Sequence, residues 1–244
     1  MTKTLSELLN HLPWSVPVPK QDFLITGITA DSRQVQPGFM FVAYSGVASD
    51  GHKYIPQAIA NGAVAIVCER DWRLDALHED PTSVQSLNPQ SVIVPNGREA
   101  FAWLCAAWQD FPSRHMILIG VTGTDGKTST ANLLYSILRA AGHKTGMIST
   151  VNAVIGERTL DTGLHVTTPD ADAVQRYLAQ MRDAGTTHCV LEVTSHGLAQ
   201  YRVDGSNFDV AVVTNITHEH LDIHGTREAN RVPRGACLRW PVNR

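Results

Sequence analysis

Gly120-Val-Thr-Gly-Thr-Asp-Gly-Lys-Thr-Ser-Thr130 is the stretch that decides the fold of this chain. The apolar segment Met116–Ile119 precedes it and has the composition of a buried strand. The segment Ala131–Arg139 follows it and carries apolar residues at helical spacing. A glycine-rich turn between a strand and a helix is the context of a phosphate-binding loop, so the sequence predicts an ATP-binding site here.

Each residue type in this loop suits a nucleotide phosphate. Gly120, Gly123 and Gly126 are expected to let the backbone turn tightly, so that successive N–H groups face one anion. A helix that begins near Lys127 adds the positive end of its dipole, and the lysine ammonium can reach the outer phosphates. The Thr128 hydroxyl is expected to bind Mg²⁺.

The loop departs from the general phosphate-loop spacing at one position. The pattern Gly-x-x-x-x-Gly-Lys requires a glycine where this chain has Val121, so the spacing here is the narrower Gly-x-x-Gly-x-x-Gly-Lys-Thr. The alternative interpretation is a glycine-rich turn with an incidental lysine. The strand-like segment before the loop and the helix-like segment after it favour the phosphate loop.

The composition is that of a globular protein without a nucleic-acid or membrane partner. Of the 244 residues, 43% are hydrophobic and 18% are charged, and the formal net charge is −3. This balance provides no basic surface for nucleic acid, and no apolar run is long enough for a signal peptide or for membrane insertion. The four cysteines include no Cys-x-x-Cys pair, so neither a zinc knuckle nor a disulfide framework is expected. We expect a cytoplasmic protein and a monomer.

Alternating strand-like and helix-like segments predict an α/β protein with two domains. Residues 1–112 are expected to form a small α/β domain, to which the family resemblance described below assigns a binding function, and residues 113–229 a central ATP-binding domain. The central domain should contain a mainly parallel sheet with helices on both faces, and a polar hairpin around Ile155–Arg158. Residues 230–244 form a divergent tail in this division of the chain.

Polar residues follow the strands at their carboxyl ends, where parallel sheets bind ligands. Glu192 ends the apolar strand Thr187–Glu192, and a carboxylate there would suit Mg²⁺ held between the protein and the nucleotide phosphates. The alternative is a strand-end carboxylate that pairs with a lysine.

Three histidines, His218, His220 and His224, follow the last predicted strand, Phe208–Val213. A zinc site is one interpretation, although no cysteine lies near and the spacing fits no simple helix-face motif. Structural loop histidines are a second interpretation, and a histidine that serves the metal of the nucleotide is a third.

Ser32 and Arg33 lie in a polar interruption between two predicted strands. A serine hydroxyl and a guanidinium side by side could hold an anion through charge-assisted hydrogen bonds. Taken alone, this pair of residues does not specify a ligand.

Several of these motifs together resemble the Mur ligases, the ATP-dependent enzymes that build the peptide of bacterial peptidoglycan, and among them the MurE type. In the central region, the similar segments are Thr122-Gly-Thr-Asp-Gly-Lys-Thr128, Thr167-Thr-Pro169, Glu192-Val-Thr-Ser-His196, Gln200-Tyr-Arg-Val-Asp-Gly205 and Thr214–Thr226. In the N-terminal region, they are Asp31-Ser-Arg33, Pro37-Gly38, Phe41-Val-Ala43, Asp50-Gly-His52 and Tyr54–Ala63. The resemblance extends over about residues 1–228.

The resemblance implies a ligase that uses ATP and Mg²⁺. Its acceptor would be UDP-N-acetylmuramoyl-L-alanyl-D-glutamate, and the added residue would be a diamino acid, meso-diaminopimelate or L-lysine. ATP would phosphorylate the D-glutamate carboxylate, and the amine would then displace phosphate from the acyl phosphate. Charge on the transferring phosphoryl group would be stabilised by the lysine, the threonine and the metal.

The resemblance also implies roles for single residues. ATP-binding positions of the family match Gly123, Thr124, Asp125, Gly126, Lys127, Thr128, Ser129 and Asn215. Positions that bind the UDP-linked acceptor match Ser32, Arg33, Thr167, Thr168, Thr194, Gln200 and Arg202, with Thr194 standing where the family usually has serine. Lys127, Glu192 and His220 are expected to act in catalysis, and Thr128, Glu192 and His220 to hold Mg²⁺.

The chain departs from the family after Gly225. The family carries a lysine nine positions past this glycine, which becomes carbamylated and helps to position magnesium, but this chain has Arg234 preceded by the helix breaker Pro233. From about Asn230 the resemblance ends. We therefore expect a C-terminally truncated form without the domain that binds the incoming amino acid, with a poorly ordered tail and an exposed sheet edge at the last strand.

Other functions are also compatible with the sequence. The chain could be a non-catalytic remnant that binds nucleotide and UDP-sugar peptide, or another Mur-type ligase that is MurF-like. A phosphate-loop kinase is a more distant alternative, and the absence of a recognisable acid–base pair downstream of the loop counts against it.

Overall fold

A computed structural model describes residues 1–17, 21–46, 49–73, 89–150, 152–161 and 168–216. The chain divides into two compact units, Met1–Trp108 and Gln109–Arg244. This division falls after Trp108, whereas the sequence analysis places the domain boundary after residue 112.

The first unit contains a four-stranded parallel sheet. Its strands, in their order across the sheet, are β3 (Gly27–Thr29), β4 (Phe39–Val42), β5 (Ala65–Cys68) and β6 (Gln90–Ile93). A separate antiparallel pair consists of β1 (Lys3–Thr4) and β2 (Leu24–Ile25). The helical elements are α1 (Leu5–Leu9), α2 (Ile55–Ala60), α3 (Gly97–Trp108) and the 3₁₀ turns Ser32–Gln34 and Gly51–Tyr54.

Local signals in the sequence explain these helices. Thr4 caps α1, because its hydroxyl accepts a hydrogen bond from the Glu7 N–H at 3.1 Å. The glycine after α2, Gly62, has a φ of +99° that few other residues adopt, and the chain turns there into β5. Phe41 and Ile66 of the sheet pack in one buried cluster with α2, so burial of apolar side chains joins the helix to the strands.

The second unit contains a six-stranded sheet. Its order is β10 (Arg158–Asp161), β9 (Asn152–Ile155), β8 (Thr145–Ile148), β11 (His188–Glu192), β7 (Ile117–Thr122) and β12 (Val210–Val213). Neighbours among β8, β11, β7 and β12 are parallel, while β9 and β10 form an antiparallel hairpin at one edge. The predicted hairpin is therefore confirmed.

Helices cover both faces of this sheet. Helix α4 (Lys127–Ala140) packs Ala131 against Val121 and Val190 on one face. Helix α5 (Ala171–Asp183) packs Leu178 and other apolar residues on the opposite face. Alternate residues of β7 and β11 point to opposite faces, which is why these two strands are apolar throughout. A 3₁₀ turn (Pro112–His115) and the short helix α6 (Ser195–Ala199) complete the unit. The predicted α/β architecture is confirmed.

One prediction about the glycine-rich stretch is wrong. Gly120 does not belong to the turn, because β7 continues through Thr122 and Gly120 pairs with Leu191 on one side and Ala211 on the other. Val121 is fully buried inside the same strand. Position 121 therefore lies in the strand before the loop begins, and the chain needs no glycine there.

Two further features of the structure concern membrane-spanning helices and the cysteines. Among the described residues, no helix is long and apolar enough to cross a membrane. Cys68, Cys105 and Cys189 are buried free thiols. Burial raises the pKa of the Cys68 thiol to about 11, with Asp71 contributing in the same direction.

Candidate functional site

The phosphate loop joins the end of β7 to the start of α4, and two glycines shape it. Gly123 has a φ of +143°, and Gly126, the residue before the first helical position, has a φ of +77°. A Cβ atom on Gly123 would collide with the Thr214 hydroxyl and would lie 3.0 Å from the backbone nitrogen of Asn215. Gly123 is therefore required both by its backbone conformation and by the close approach of β12, whereas the space around Gly126 is open.

The end of β12 holds this loop by several hydrogen bonds. The Asn215 side-chain oxygen accepts hydrogen bonds from the Thr124 and Asp125 N–H groups at 3.1 and 3.0 Å. The Thr214 hydroxyl donates to the Asp125 carbonyl at 2.7 Å. Asn215, which the resemblance associates with ATP, thus contacts the loop backbone directly. Thr214 was not identified by the sequence analysis as a site residue.

Lys127 lies over the carbonyl groups of its own loop. Its ammonium donates to the Gly123 carbonyl at 3.1 Å and to the Thr124 carbonyl at 2.7 Å. The lysine is half-buried, while Asp125 and Gly126 are exposed on the outer side of the loop and Ser129 is exposed in the first helical turn. The N–H groups at the start of a helix have no intrahelical acceptors, so loop, helix and ammonium together present positive electrostatic potential at one place.

Glu192 ends β11 beside the phosphate loop, and its carboxylate is almost completely buried. One oxygen, Oε1, accepts a hydrogen bond from the Thr128 hydroxyl at 2.9 Å. The other, Oε2, accepts from the N–H and the hydroxyl of Thr150, both at 3.1 Å. The alternative of a carboxylate paired with a lysine is not what the described residues show, since both oxygens accept from threonines.

Thr150 is a contact that the sequence analysis missed. It follows β8, the neighbour of β11 in the sheet, with Ile148 paired to Leu191. A signal was present in the sequence, because Ser149 and Thr150 are polar residues at the carboxyl end of a parallel strand. The rule that selected Glu192 would have selected them as well.

Oxygen donors suited to Mg²⁺ therefore meet at the carboxyl ends of β7 and β11. The Thr128 hydroxyl and the Glu192 carboxylate are hard ligands, and they already lie within hydrogen-bonding distance of each other. Within the described part of the chain, no group of three or more His, Cys, Asp or Glu side chains could hold a metal ion. His218, His220 and His224 lie outside the described residues, so the predicted histidine ligand and the zinc alternative have no structural test.

A second group of predicted residues converges around α6. Thr168 is completely buried, and its hydroxyl accepts a hydrogen bond from the Thr194 N–H at 3.0 Å. Thr194 caps α6 by accepting from the Gly197 N–H at 2.9 Å. The Thr168 side chain packs closely against Gly197. A Cβ atom added at Gly197 would lie only 2.9 Å from it, so a larger residue would have to displace Thr168. Thr167 lies outside the described residues.

Arg202 connects this group through its guanidinium. It donates to the Thr168 carbonyl at 2.6 Å and, through two nitrogens, to the Gln200 side-chain oxygen at 3.0 and 2.8 Å. Asp170 lies 3.4 Å away on the same guanidinium. The Gln200 amide nitrogen contacts the His196 ring at 2.5 Å. Neither Asp170 nor His196 had been singled out as a site residue. Four of the predicted acceptor-binding residues thus form one connected network.

The first unit contains a cavity of about 500 Å³ next to Ser32. Its lining includes Asp31, Ser32, Arg33, Ser49, Tyr54 and Gln57. The Ser32 side chain is almost fully buried, and its hydroxyl donates to the Gln57 side-chain oxygen at 2.7 Å. The Asn61 amide donates to the Ser32 carbonyl at 2.9 Å. The serine is therefore held at the cavity wall by two residues that the sequence analysis did not select. We call this cavity the Ser32 cavity.

Arg33 is 81% exposed and binds Asp31 with two hydrogen bonds, at 2.9 and 2.8 Å. The side-chain hydrogen bonds from Arg33 lower the pKa of Asp31 to about 2, against a smaller opposing effect of burial. An anion at Arg33 would have to compete with this carboxylate.

Both units match families of known proteins. Residues 24–109 match the domain described as the Mur ligase family catalytic domain, and residues 121–230 match the Mur ligase middle domain. The UDP-N-acetylmuramyl-tripeptide synthetase of Roseiflexus sp. (strain RS-1) is 44% identical over 229 residues, which cover 93% of this chain and 43% of that protein. The UDP-N-acetylmuramoyl-L-alanyl-D-glutamate--2,6-diaminopimelate ligase of Geobacillus thermodenitrificans (strain NG80-2) is 42% identical over 242 residues, which cover 98% of this chain and 46% of that protein.

A solved structure of a UDP-N-acetylmuramoyl-L-alanyl-D-glutamate--2,6-diaminopimelate ligase has the same fold. It aligns with a TM-score of 0.76 at 27% identity and covers 98% of this chain and 45% of that structure. The chain spans less than half the length of the curated relatives that it matches. Two domain matches in succession and identities of 44% and 42% over nearly the whole chain leave one conclusion. This chain belongs to the Mur ligase family.

Proposed function

We propose that this chain carries the acceptor-binding and ATP-binding parts of an ATP-dependent ligase. The enzyme would add a diamino acid, meso-diaminopimelate or L-lysine, to UDP-N-acetylmuramoyl-L-alanyl-D-glutamate. The observation that carries the proposal is the connection between the phosphate loop and Glu192 through Thr128, at the carboxyl ends of β7 and β11. The names of the relatives described above supply the substrate class.

In this proposal the phosphate loop binds the outer phosphates of ATP. The Lys127 ammonium would exchange its two carbonyl acceptors in the loop, on Gly123 and Thr124, for phosphate oxygens. The exchange is favourable because a charge-assisted hydrogen bond to phosphate is stronger than one to a neutral carbonyl. Asn215 would keep the loop in shape during the exchange, since its side chain contacts the backbone of Thr124 and Asp125.

Thr128 and Glu192 fit a magnesium ion, and with His220 they would hold it. When bound, the ion neutralises charge on the phosphoryl group that passes to the acceptor carboxylate. Thr150 would keep the Glu192 carboxylate in place through Oε2, so that Oε1 remains directed towards Thr128.

The network of Thr168, Thr194, Gln200 and Arg202 would hold the muramoyl-peptide of the acceptor. Its hydroxyl and guanidinium groups suit a ligand that is rich in carboxylates and amides. The network lies next to the carboxyl end of β11, since the Thr168 hydroxyl is 3.4 Å from the Glu192 carbonyl. The acceptor carboxylate would therefore be held close to the transferring phosphoryl group, as an acyl phosphate mechanism requires. The Ser32 cavity of the first unit would bind the UDP portion.

The test is ADP release by the purified chain. It is measured with ATP, Mg²⁺ and the UDP-muramoyl dipeptide, with and without meso-diaminopimelate or L-lysine. Release that requires acceptor and amine together supports the ligase. Stable phosphorylation of the acceptor without amine would favour the kinase, and ATP binding without release would favour the non-catalytic remnant. Release only with the tripeptide acceptor and D-alanyl-D-alanine would identify a MurF-like enzyme.

A further inference from the structure

Asp50, His52 and Arg70 form a hydrogen-bonded cluster beside the Ser32 cavity. One Asp50 oxygen accepts from the His52 N–H at 3.0 Å and contacts His52 Nδ1 at 2.6 Å. The other Asp50 oxygen accepts from the Arg70 guanidinium at 2.6 Å. Asp50 and His52 belong to one of the motifs shared with the Mur ligases, but the function proposed above gives them no role.

The hydrogen bonds of His52 define its protonation state. Its Nε2 atom lies 3.0 Å from the backbone nitrogen of Glu69, which can only donate. Nε2 must therefore carry a lone pair, and the single ring proton must lie on Nδ1, where it is donated to Asp50. His52 is neutral in this arrangement. Protonation of Nε2 would place two donors against each other and break the link to Glu69.

This histidine is not a candidate general base. Its side chain is only 2% exposed, and both ring nitrogens are engaged by protein groups. No substrate atom can reach a lone pair that already accepts a backbone hydrogen bond inside the protein. The remaining role for a polar ring in this position is to join the segments that it contacts.

Glu69 extends the cluster to two further segments. Its carboxylate accepts from the Ser45 N–H at 3.1 Å and from the Gly97 N–H at 2.9 Å, at the start of α3. Burial by itself would raise the pKa of Glu69, but these hydrogen bonds outweigh it and the pKa is lowered. Burial by itself would also raise the pKa of Asp50. The hydrogen bonds from Arg70 and His52 outweigh this effect, so the pKa of Asp50 is lowered. Asp50, Glu69 and Arg70 are the charged groups that face the His52 ring.

The same backbone segment forms one side of the Ser32 cavity. Ser49 and Tyr54 both line the cavity, and the cluster residues Asp50 and His52 lie between them in the chain. The Ser49 and Tyr54 hydroxyls are 3.2 Å apart, and the segment is pinned by the bridge between Ser45 and Asp50. A shift of Asp50 or His52 would therefore move both hydroxyls relative to Ser32.

We propose that Asp50, His52 and Arg70 are positioning residues for a uridine diphosphate group bound in the Ser32 cavity. The proposal rests on the proposed function, which assigns the UDP portion of the acceptor to that cavity. It adds a contribution to binding from residues that do not touch the ligand.

The experiment measures binding of UDP-N-acetylmuramoyl-L-alanyl-D-glutamate to the full chain by calorimetry at about pH 7.5. We expect His52→Ala to bind the acceptor about fivefold more weakly than the unaltered chain, the order of effect expected for the loss of one hydrogen bond. His52→Gln carries an amide that can accept from the Glu69 N–H and donate to Asp50. It should restore most of the affinity that His52→Ala loses.

Two further variants separate positioning from general damage. Asp50→Asn removes the charge that Arg70 and His52 contact, and it should weaken acceptor binding. Asp71→Asn, a neighbouring exposed carboxylate outside the cluster, should bind as the unaltered chain does. All variants should retain ATP affinity, which reports an intact second unit. In the unaltered chain, nitrogen chemical shifts of labelled His52 should show the Nδ1–H form at about pH 7.5. This measurement does not depend on whether the variants fold.

The outcomes distinguish this proposal from the function on which it rests. If the unaltered chain does not bind the acceptor at about pH 7.5, the assignment of the acceptor is wrong and the positioning role falls with it. If the acceptor binds equally well to His52→Ala and to the unaltered chain, or if His52→Gln binds it no more tightly than His52→Ala, the acceptor assignment stands and the positioning proposal is overturned. An Nε2–H tautomer of His52 would also overturn it.

Discussion

The phosphate loop and the Ser32 cavity are held in place by contacts of different range. Asn215 and Thr214 bind the loop from 89 to 91 positions away in the chain. At the Ser32 cavity, Arg33 binds Asp31 two positions away, and Ser32 binds Gln57 25 positions away. The loop thus acquires its shape only when β7 and β12 are paired, whereas the cavity wall combines a contact within one turn with contacts 25 and 29 positions apart. Substitutions in the two regions should therefore fail in different ways.

The largest effect is expected at the point where β12 approaches the loop. Gly123→Ala would place a methyl group against the Thr214 hydroxyl and the Asn215 backbone, at a φ of +143°. We expect nucleotide affinity to fall by roughly 100-fold or more, because both the backbone and the contact with β12 must change. Isothermal titration with ATP measures the loss.

Gly126→Ala is the matched control for this substitution. Gly126 also has a positive φ, of +77°, but no atom lies within 4 Å of an added Cβ. Only the backbone cost of about 1–2 kcal/mol should appear, as a lower melting temperature with a smaller loss of affinity. Equal losses in the two variants would mean that the approach of β12 is not what makes Gly123 necessary.

Lys127→Ala should have the next largest effect. It removes the ammonium proposed to face the phosphates, and the loss of one charge-assisted contact is about 1.5–3 kcal/mol, or roughly 10- to 150-fold in affinity. Lys144→Ala removes an exposed lysine of the same unit and should leave ATP affinity unchanged. Unaltered ATP binding by Lys127→Ala would exclude the phosphate-loop assignment.

Asn215→Ala removes one of the long-range contacts that support the loop, and its effect should be smaller than that of Lys127→Ala. The Asp125 N–H loses its side-chain acceptor, whereas the Thr124 N–H keeps the backbone carbonyl of residue 215 at 3.0 Å, so we expect a cost of about 0.5–1.5 kcal/mol. The loss should appear as faster hydrogen exchange at the Asp125 amide and as modestly weaker ATP binding. If exchange at this amide is as slow as before, the loop is held by other contacts.

The smallest effect is expected at the local pair in the first unit. The pKa of Asp31 is lowered from 3.8 to about 2, so its pairing stabilises the fold above about pH 4, and the contribution is lost as the pH falls towards 2. Arg33→Ala should return the pKa of Asp31 towards its ordinary value, with little change in melting temperature at neutral pH because the pair is exposed.

Carboxyl chemical shifts followed through an acid titration measure this pKa. Arg176→Ala breaks another exposed ion pair, with Asp172, and should leave Asp31 unaffected. A large loss of stability in Arg33→Ala would show that this local pair supports more than its own turn.

Sequence reasoning succeeded where a feature depends on a short segment. The helix that begins at Lys127 is confirmed, and so are the hairpin and the parallel sheet with helices on both faces. These features follow from the periodicity of apolar residues and from turn residues, which act over a few positions. Thr168, Thr194, Gln200 and Arg202 were selected by resemblance, and the structure brings them into one network, but their roles remain predictions.

The same reasoning failed where partners are distant. Gly120 was assigned to the turn because a glycine in isolation indicates one, but pairing with both β11 and β12 draws it into the strand. Thr150 was overlooked although it follows the carboxyl end of β8, and its contact with Glu192 forms only when β8 and β11 pair. Thr214 likewise contacts the loop only when β12 pairs with β7. Gln57 and Asn61 were not selected within the segment Tyr54–Ala63, although both hold Ser32.

By itself, the sequence determined that a strand, a glycine turn and a helix would form a phosphate loop in an α/β protein of the Mur ligase family. Backbone conformation and apolar periodicity are local properties, and they are present in the residues themselves. Only the tertiary structure decided which glycine bends, which threonines hold Glu192 and which proton His52 carries. Those properties depend on the atoms that meet when parallel strands pair and buried polar groups find their hydrogen-bond partners.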